Sequence, residues 1–224
     1  MRFANRTAAG RALAADVAEL VRRLPAGTRQ PLVLALPRGG VPVGVEVARA
    51  LGADLDVTVA RKIGAPGHAE LGVGAVAEDE QPVFDLHHLG YLGLRPEDLI
   101  GTVHREIVEL RRRVALYRGG RPAPEPAGRL VVVVDDGLAT GVTARAALRS
   151  LRAHRPGQLI FAAPVGAADS ADALIGDADQ VVLTARPSPF GAVGAWYDDF
   201  DQISDEEVVA LLTEARSHRT ATAR

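Results

Sequence analysis

The chain has 224 residues, with 26 basic and 28 acidic side chains and a formal net charge of −2. This length is sufficient for one α/β domain with a full hydrophobic core. The near-neutral charge excludes a basic surface large enough to hold nucleic acid through its phosphates alone. Cysteine is absent, so disulfides, thiolate metal sites and cysteine nucleophiles are excluded as well.

Targeting and membrane-spanning segments are not expected from the sequence. The first residues run into an amphipathic stretch rather than an apolar signal core. Apolar runs stay well short of the ~18 residues that a membrane span requires. We therefore expect a cytoplasmic protein with neither a membrane nor a nucleic-acid partner.

The first half of the chain alternates between helical and extended patterns. Apolar residues recur at helical spacing from Leu13 to Leu24, with Asn5 or Thr7 available as the N-terminal cap. A stretch containing glycine and proline, 63–74, is long enough to form a mobile loop. The predicted elements are a helix over 5–24 that residues 25–27 end, a strand over 31–36, a helix over 43–51, a strand over 54–60, and two short strands over 73–77 and 82–84.

The second half predicts a regular alternation of strands and helices. A long helix over 95–117 carries an apolar stripe, which must pack on another surface. Four consecutive valines, 131–134, suit a strand that is buried on both faces. Strands that alternate with helices predict an α/β fold with a central, mostly parallel sheet flanked by helices. The later elements are a strand over 130–134, a turn over 135–141, a helix over 142–154, a strand over 159–163, a helix over 170–175 and a strand over 180–183.

The most informative segment is 131–144, with the sequence VVVVDDGLATGVTA. It brings Asp135 and Asp136 to the carboxyl end of a predicted parallel strand, where open α/β folds bind their ligands. The glycines that follow allow the backbone to curl, so that successive amides and the next helix N-terminus converge on an anion. A sugar phosphate would use both the carboxylates and the anion site. The alternative is a plain strand-to-helix turn without a ligand. The sequence contains neither a Walker A motif nor a dinucleotide-binding fingerprint.

Residues 135–143 resemble the phosphoribosyl pyrophosphate (PRPP) signature of type I phosphoribosyltransferases. In that family the paired acids hold the 2′ and 3′ hydroxyls of ribose, and the amides of the loop hold the 5′-phosphate. The resemblance implies the fold of the family and PRPP as a ligand. It assigns the ribose and the phosphate to Asp135, Asp136, Gly137, Leu138, Ala139, Thr140, Gly141 and Thr143.

A second loop follows the first core strand and precedes a helix. Its residues Arg38, Gly39 and Gly40 resemble the loop with which the family holds pyrophosphate. That loop often contains a cis peptide bond that precedes a residue other than proline. The two glycines allow backbone amides to approach an anion, and Arg38 supplies a forked donor for phosphate oxygens. The resemblance implies that these three residues bind pyrophosphate, whereas in isolation the segment is only a turn.

Type I enzymes close a flexible lid over PRPP, which excludes water from the reacting ribose. Arg61 and Lys62, expected at the end of the second strand, resemble the Arg-Lys pair that opens this lid in adenine and orotate phosphoribosyltransferases. The resemblance implies a lid over 61–74 and catalytic roles for both cations beside the departing pyrophosphate. The alternative is an exposed basic pair at the end of a strand.

The aromatic-rich segment 189–200 loosely resembles the hood of 6-oxopurine phosphoribosyltransferases, where an aromatic ring stacks on the base and an aspartate approaches magnesium. Phe190, Trp196 and Tyr197 are the candidates for stacking on an acceptor, or they form plain core. The resemblance also implies Mg²⁺ as a cofactor, bound mostly through substrate and water. The residues near it would be Asp135, Asp136 and Asp198.

One position departs from the 6-oxopurine pattern. Where those enzymes carry an aspartate that handles a proton of the base, this chain has Ala139, as in adenine and uracil enzymes. The change removes the obvious general base and argues against hypoxanthine or guanine as the acceptor. Glu70, Glu78 or the substrate itself remain as alternatives for taking the proton.

Over residues 2–207 the chain resembles bacterial phosphoribosyltransferases of unassigned base specificity. We expect a single domain over 1–216 with a hood over 186–203, a frayed tail over 217–224, and an inserted helical arm over 86–121 that caps the site or forms a homodimer. The implied activity is Mg²⁺-dependent transfer of the phosphoribosyl group from PRPP to a nitrogenous acceptor with release of pyrophosphate. The alternatives are a PRPP- or nucleotide-binding regulatory module without turnover, and ribosylation of a specialised metabolite.

Overall fold

The computed structural model describes residues 1–24 and 29–222. Within these ranges every helix is too short or too polar to span a lipid bilayer. The helices are α1 (Arg6–Arg23), α2 (Gly40–Leu51), α3 (Leu86–Tyr91), α4 (Ile100–Arg118), α5 (Val142–Arg152), α6 (Ala168–Asp172) and α7 (Asp205–Thr222). The strands are β1 (Arg29–Ala35), β2 (Asp54–Val57), β3 (Arg61–Ala65), β4 (His68–Val76), β5 (Pro82–Phe84), β6 (Arg129–Val134), β7 (Gln158–Val165) and β8 (Gln180–Ala185). Short 3-10 helices cover Pro96–Leu99 and Val193–Trp196.

Five strands form a parallel sheet in the order β2-β1-β6-β7-β8. Strand β6 lies at its centre, where Val132 pairs with Val33 of β1 and with Ile160 of β7. The four valines 131–134 have no exposed surface. Burial on both faces suits such a continuous run of β-branched side chains. The predicted α/β fold with a mostly parallel central sheet is confirmed.

Successive residues of β6 face opposite layers of helices, because side chains alternate along a strand. Val132 and Val134 belong to a core that includes residues of α1, α2 and α7. Val131 and Val133 belong to a second core with residues of α5 and α6. The sheet is therefore covered on both faces, as the valine run predicts.

The order of the strands reverses between β1 and β6. The chain passes from β1 to β2 on one side, whereas β6 is followed by β7 and β8 on the other. Loops that leave two such strands diverge and open a crevice at the carboxyl ends of the strands. Residues 36–39 and 135–141 connect these strands to α2 and α5, so both predicted ligand loops start at this crevice.

The stretch expected as an irregular loop, 63–74, lies mostly in strands. Strands β3, β4 and β5 form a separate antiparallel sheet, in which Ile63 pairs with Gly74. Ile63 and Val73 have no exposed surface, and this burial stabilises a hairpin despite the glycines. Whether the segment closes as a lid stays a prediction.

Two further strand predictions have different outcomes. The short strands expected over 73–77 and 82–84 pair as an antiparallel hairpin, which confirms them. The strand expected over 54–60 is too long, because β2 ends at Val57. Arg61 therefore opens β3 instead of ending β2.

The segment expected as an inserted arm, 86–121, packs on the core of the protein. The helix predicted over 95–117 is divided into the 3-10 helix and α4. Leu99, Leu110 and Tyr117 are buried in the core shared with α1 and α2. The apolar stripe of α4 thus finds a partner within the chain, and a role in capping the site or in a dimer stays a prediction.

The ends of α1 and α7 can be compared with those predicted from the sequence. Asn5 caps α1, since its side-chain oxygen accepts a hydrogen bond from the amide of Ala8 at 2.9 Å. The expected end of that helix at 25–27 lies outside the described residues. Helix α7 runs to Thr222, and the frayed tail expected over 217–224 stays a prediction.

Candidate active site

The loops after β1 and β6 touch at the crevice, and two glycines make this contact possible. A Cβ atom built on Gly39 would lie 1.8 Å from Oδ2 of Asp136. A Cβ atom built on Gly40 would lie 2.6 Å from the carbonyl oxygen of Val134. Both distances are too short for non-bonded atoms, so a side chain at Gly40 would push the loops apart, and one at Gly39 would displace the Asp136 carboxylate. The fold thus brings the predicted pyrophosphate loop, 38–40, into contact with the loop predicted to bind ribose and its 5′-phosphate, 135–141, which we call the ribose loop.

Arg38 lies in the same loop as these glycines. The peptide bond between Pro37 and Arg38 is cis, a feature that the family resemblance implies for this loop. The Arg38 side chain is half-buried, and no acceptor within residues 1–24 and 29–222 receives a hydrogen bond from it. Its guanidinium therefore remains available to an anionic ligand.

The loop 135–141 is attached to the neighbouring strand at its middle. The amide of Leu138 donates a hydrogen bond to the carbonyl oxygen of Val165 at 2.9 Å. Gly141 has a φ of 73° and precedes the first turn of α5, a left-handed conformation that favours glycine. Among the described residues, the amides of 139–141 donate to no protein acceptor. Free amides beside a helix N-terminus form an anion site.

Asp135 and Asp136 are largely buried, which changes their electrostatics. The amide of Asp136 donates to Oδ1 of Asp135 at 2.8 Å. Burial raises the pKa of Asp135 well above its ordinary value, and the adjacent Asp136 raises it further. Burial also raises the pKa of Asp136, although a hydrogen bond from Arg6 acts in the opposite direction. A ligand that brings hydroxyl donors or a cation would stabilise the ionised pair.

Sequence reasoning missed one residue of this site, Arg6 at the start of α1. Its Nε donates to Oδ2 of Asp136 at 2.8 Å, and its Nη1 donates to the carbonyl oxygen of Asp201 at 2.7 Å. The guanidinium carbon lies 3.9 Å from the centre of the Phe200 ring. Arg6 and Asp136 are 130 positions apart, and no pattern in the sequence links them.

Tyr197 lies beside the ribose loop and cannot stack on an acceptor. Its side chain is only 2% exposed. Its hydroxyl donates to the carbonyl oxygen of Asp136 at 2.6 Å. The acceptor role expected for Tyr197 is therefore wrong, since a ring this deeply buried has no face open to a ligand.

Phe190 and Trp196 remain partly exposed in the hood. Their rings are nearly parallel, with an interplanar angle of 19° and centroids 6.5 Å apart. The hood also touches the ribose loop, because a Cβ atom on Gly137 would lie 2.4 Å from a methyl group of Val193. These two rings stay candidates for contact with an acceptor.

Arg61 and Lys62 begin β3 in different surroundings. Nε and Nη2 of Arg61 both approach Oε2 of Glu106 on α4, at 2.9 Å and 2.8 Å. Lys62 is exposed, and its aliphatic carbons pass close to Gly72 of β4. The two predicted lid cations are thus separated by the alternation of side chains along the strand.

Of the two glutamates that are candidate general bases, only Glu78 has a side chain that the structure describes. Glu78 accepts a hydrogen bond from the amide of Val59 at 2.9 Å. Its two oxygens also accept from Arg118, at 2.6 Å and 3.0 Å. Both carboxylate oxygens of Glu78 are therefore engaged within the protein. The side chain of Glu70 lies outside the described part of the chain.

Asp198, expected near a metal, is well exposed and forms an ion pair with Arg2 at 3.2 Å. Residues 1–24 and 29–222 contain no group of three or more histidine, aspartate or glutamate side chains that could hold a metal ion by itself. The carboxylates of Asp135 and Asp136 are the acidic groups at the crevice. Any metal bound there would take most of its ligands from substrate and water.

Comparison with known proteins identifies the family that this chain matches. Residues 4–193 match the family model described as a phosphoribosyl transferase domain. A protein of Mycobacterium tuberculosis H37Rv (Rv0571c), provisionally named a phosphoribosyl transferase, is 42% identical over 217 residues. The aligned part covers 97% of this chain and 47% of that protein. The chain thus spans about half the length of the curated relatives it matches.

Two solved structures are also similar to this chain. The crystal structure of TT1426 from Thermus thermophilus is 42% identical, with a TM-score of 0.77, and the match covers 96% of this chain and 99% of that one. A hypothetical protein from Neisseria gonorrhoeae, solved with bound ppGpp, is 14% identical with a TM-score of 0.50 and coverages of 96% and 99%. The second likeness concerns the fold alone. Since the family model spans most of its residues, the chain belongs to the phosphoribosyl transferase domain family, as its similarity to the type I enzymes predicts.

Proposed function

We propose that this chain transfers the 5-phosphoribosyl group from PRPP to a nitrogen atom of a small acceptor and releases pyrophosphate. The observation that carries this proposal is the contact of Gly39 and Gly40 with Asp136 and the end of β6. At that distance one loop would bind pyrophosphate while the other binds the ribose and the 5′-phosphate of the same PRPP molecule. The names of relatives at 42% identity support the same reaction class.

The ribose loop would hold the sugar phosphate both at its ribose hydroxyls and at its 5′-phosphate. Asp135 and Asp136 would accept hydrogen bonds from the 2′ and 3′ hydroxyls. The amides of 139–141 and the hydroxyls of Thr140 and Thr143 would donate to the 5′-phosphate at the N-terminus of α5. Both contacts together fix C1 of the ribose, so positioning would be a main contribution to catalysis.

Mg²⁺ suits the donor set at the crevice. The carboxylates of Asp135 and Asp136 provide oxygen ligands of the kind that Mg²⁺ prefers, and Mg²⁺ commonly keeps water and substrate phosphate oxygens in its coordination shell. When bound, the cation would neutralise charge that develops on the departing pyrophosphate. Arg38 and the loop amides would bind that pyrophosphate from the protein side. Asp198, which pairs with Arg2, would act only through water.

The lid cations would have separate roles. Lys62 is exposed on the hairpin of β3 and β4, and we assign it to the departing pyrophosphate. Arg61 pairs with Glu106, so its role would be to hold the start of the hairpin against α4.

The acceptor would bind under the hood, beside Phe190 and Trp196. Ala139 provides no carboxylate for the proton of the acceptor, and Glu78 is already occupied by Arg118. Glu70 or the acceptor itself would therefore dispose of the proton. A homodimer and a cytoplasmic location stay predictions.

A turnover assay tests the proposal directly. The protein is incubated with PRPP, Mg²⁺ and a panel of nucleobases and other nitrogenous acceptors, and the release of pyrophosphate is measured. We expect release that requires both Mg²⁺ and one class of acceptor. Asp136→Asn should weaken PRPP binding strongly, whereas Asp172→Asn, which changes an exposed aspartate of α6, should bind PRPP as the wild type does.

Each outcome of this assay distinguishes between the functions considered. PRPP binding without turnover on any acceptor would contradict the enzyme and favour a regulatory module. Turnover restricted to acceptors other than nucleobases would favour ribosylation of a specialised metabolite. A protein that binds no PRPP at all, or an Asp136→Asn variant with unchanged affinity, would contradict the site itself.

A further inference from the structure

Arg6 lies where three segments of the site meet. Its guanidinium is bonded to the Asp136 carboxylate of the ribose loop and to the carbonyl of Asp201 near the end of the hood. A Cβ atom built on Gly39 would lie 3.1 Å from Nε of Arg6, as well as 1.8 Å from Oδ2 of Asp136. One guanidinium therefore contacts the ribose loop and the hood, and lies next to the pyrophosphate loop.

The surrounding backbone holds Arg6 in this place. The amide of Phe3 donates to the carbonyl of Trp196 at 2.8 Å, and the amide of Asp198 donates to the carbonyl of Phe3 at 2.8 Å. The amide of Asp199 donates to the carbonyl of Ala4 at 3.0 Å. These bonds tie the residues before α1 to the hood, so the side chain of the first helical residue has a defined direction.

The contacts of Arg6 require a guanidinium. Nε reaches a carboxylate while Nη1 reaches a carbonyl oxygen, and the flat face of the group lies over the Phe200 ring. A planar fork provides these donors and this face at once, whereas a lysine ammonium provides a single point of charge. The Arg6 side chain is 10% exposed, so its charge is directed at Asp136 rather than at solvent.

We propose that Arg6 is a positioning residue for PRPP, an inference that rests on the proposed function. By holding Oδ2 of Asp136, Arg6 fixes the rotation of the carboxylate and leaves Oδ1 to accept from a ribose hydroxyl. Because Gly39 lies against the same oxygen, this arrangement also sets the distance between the ribose loop and the pyrophosphate loop. Arg6 acts through Asp136 and has no contact with the reacting atoms.

The experiment measures PRPP binding by calorimetry, in the presence of Mg²⁺, for the wild type and for Arg6→Ala, Arg6→Lys and Arg11→Ala. Arg11 is the matched control, since it lies on the same helix and pairs with Glu46 at 3.3 Å while its side chain is 69% exposed. We expect Arg6→Ala to weaken PRPP binding by about 10- to 100-fold, the usual cost of removing a group that orients a ligand residue. Arg11→Ala should bind PRPP as the wild type does.

A double-mutant cycle separates positioning from a general effect on the fold. If Arg6 acts through Asp136, Arg6→Ala should cost little further affinity once Asp136→Asn is present. Arg6→Lys keeps the charge and should retain the melting temperature while recovering only part of the affinity. It also supplies the measurement if Arg6→Ala fails to fold.

The possible failures point to different conclusions. A wild type that does not bind PRPP would overturn the proposed function and this inference together. A wild type that binds PRPP, with Arg6→Ala and Arg6→Lys binding as tightly as Arg11→Ala, would overturn only the role of Arg6. Fully additive losses in the double-mutant cycle would show that Arg6 does not act through Asp136, which also contradicts the proposal.

Discussion

The predicted ligand loops of the parallel sheet and the predicted lid on the small antiparallel sheet are held in place by different kinds of contact. At the crevice, backbone meets backbone: a Cβ atom on Gly40 would lie 2.6 Å from the carbonyl oxygen of Val134. The small sheet is joined to α4 by a shared hydrophobic core, which includes Ile63, Leu110 and Tyr117, and by ion pairs of partly exposed side chains at its rim. Arg61 pairs with Glu106, and Arg111 pairs with Glu80 through two bonds of 2.6 Å.

This difference indicates which contacts are able to break. Close backbone contacts limit how far the two loops at the crevice can move towards each other. Ion pairs that are open to solvent contribute little each and are weakened by salt. The ion pairs between the hairpin and α4 can therefore break at small cost, whereas the buried side chains of Ile63 and Val73 hold the hairpin against the core.

Arg118 is an exception to this division. It lies at the end of α4, its side chain is 7% exposed, and it bonds both oxygens of Glu78 after β4. It also donates to the carbonyl oxygen of Val57 at the end of β2 at 2.9 Å. Arg118 thus joins α4, the small sheet and the parallel sheet through buried bonds.

The largest expected effect on stability is that of Arg118→Ala. Removing one member of a buried ion pair leaves the other unpaired, which costs about 3–5 kcal/mol. The matched control is Arg111→Ala, which removes an exposed partner of Glu80 from the same helix and should cost much less. Urea unfolding measures both losses. Equal losses would show that burial does not distinguish the two contacts.

Gly40→Ala should have the next largest effect. The added methyl group would meet the backbone of Val134 and Asp135, and overpacking of this kind costs about 1–3 kcal/mol. The loops would also move apart, so PRPP affinity should fall. Gly101→Ala on α4, where the nearest atom would be 3.9 Å away, is the control and should be neutral or stabilising. A stable Gly40→Ala variant would contradict the tight contact at the crevice.

Arg61→Gln should have a smaller effect, confined to the small sheet. The pair with Glu106 is about a quarter exposed on each side, and pairs near the surface contribute about 0.2–1 kcal/mol. Amide hydrogen exchange should become faster in β3 and β4 and stay unchanged in β6. Faster exchange in β6 as well would mean that the two sheets unfold as one unit.

The smallest effect concerns Glu109 and pH. Hydrogen bonds from Arg112 and then Arg113 lower the pKa of Glu109 from an ordinary value of 4.5 to about 2. A carboxylate with a lowered pKa in the folded state adds stability above its unfolded pKa and loses it as the pH falls. Glu109→Gln should therefore lose less stability than the wild type between pH 4.5 and 2. Parallel curves of unfolding free energy against pH would contradict this.

Parts of the molecule whose interactions are local are predictable from the sequence. The valine run predicts a strand over 130–134, and the strand is found at Arg129–Val134, because a run of β-branched residues favours a buried strand wherever it occurs. The glycines of both loops predict close approach of the backbone. The cap at Asn5 is one of two options that the pattern of the first helix leaves open.

The failures come from contacts between distant segments. The stretch 63–74 contains glycine and proline, which favours a loop, yet burial of Ile63 beneath other segments stabilises a hairpin. Tyr197 lies among aromatic residues whose clustering suggests a surface for an acceptor. Its hydroxyl instead bonds the backbone of Asp136, 61 positions earlier. Neither contact leaves a local pattern.

The sequence by itself determined most of the order of strands and helices, the layers of the fold and the positions of the two loops proposed to bind PRPP. These follow from hydrophobic periodicity and from short motifs, whose physical causes act over a few neighbouring residues. Only the tertiary structure decided that Gly39 lies against Asp136, that Arg6 holds the same carboxylate, and that Arg61 turns to Glu106. Such choices depend on how sheets and helices pack, because packing brings together side chains that the chain itself keeps far apart.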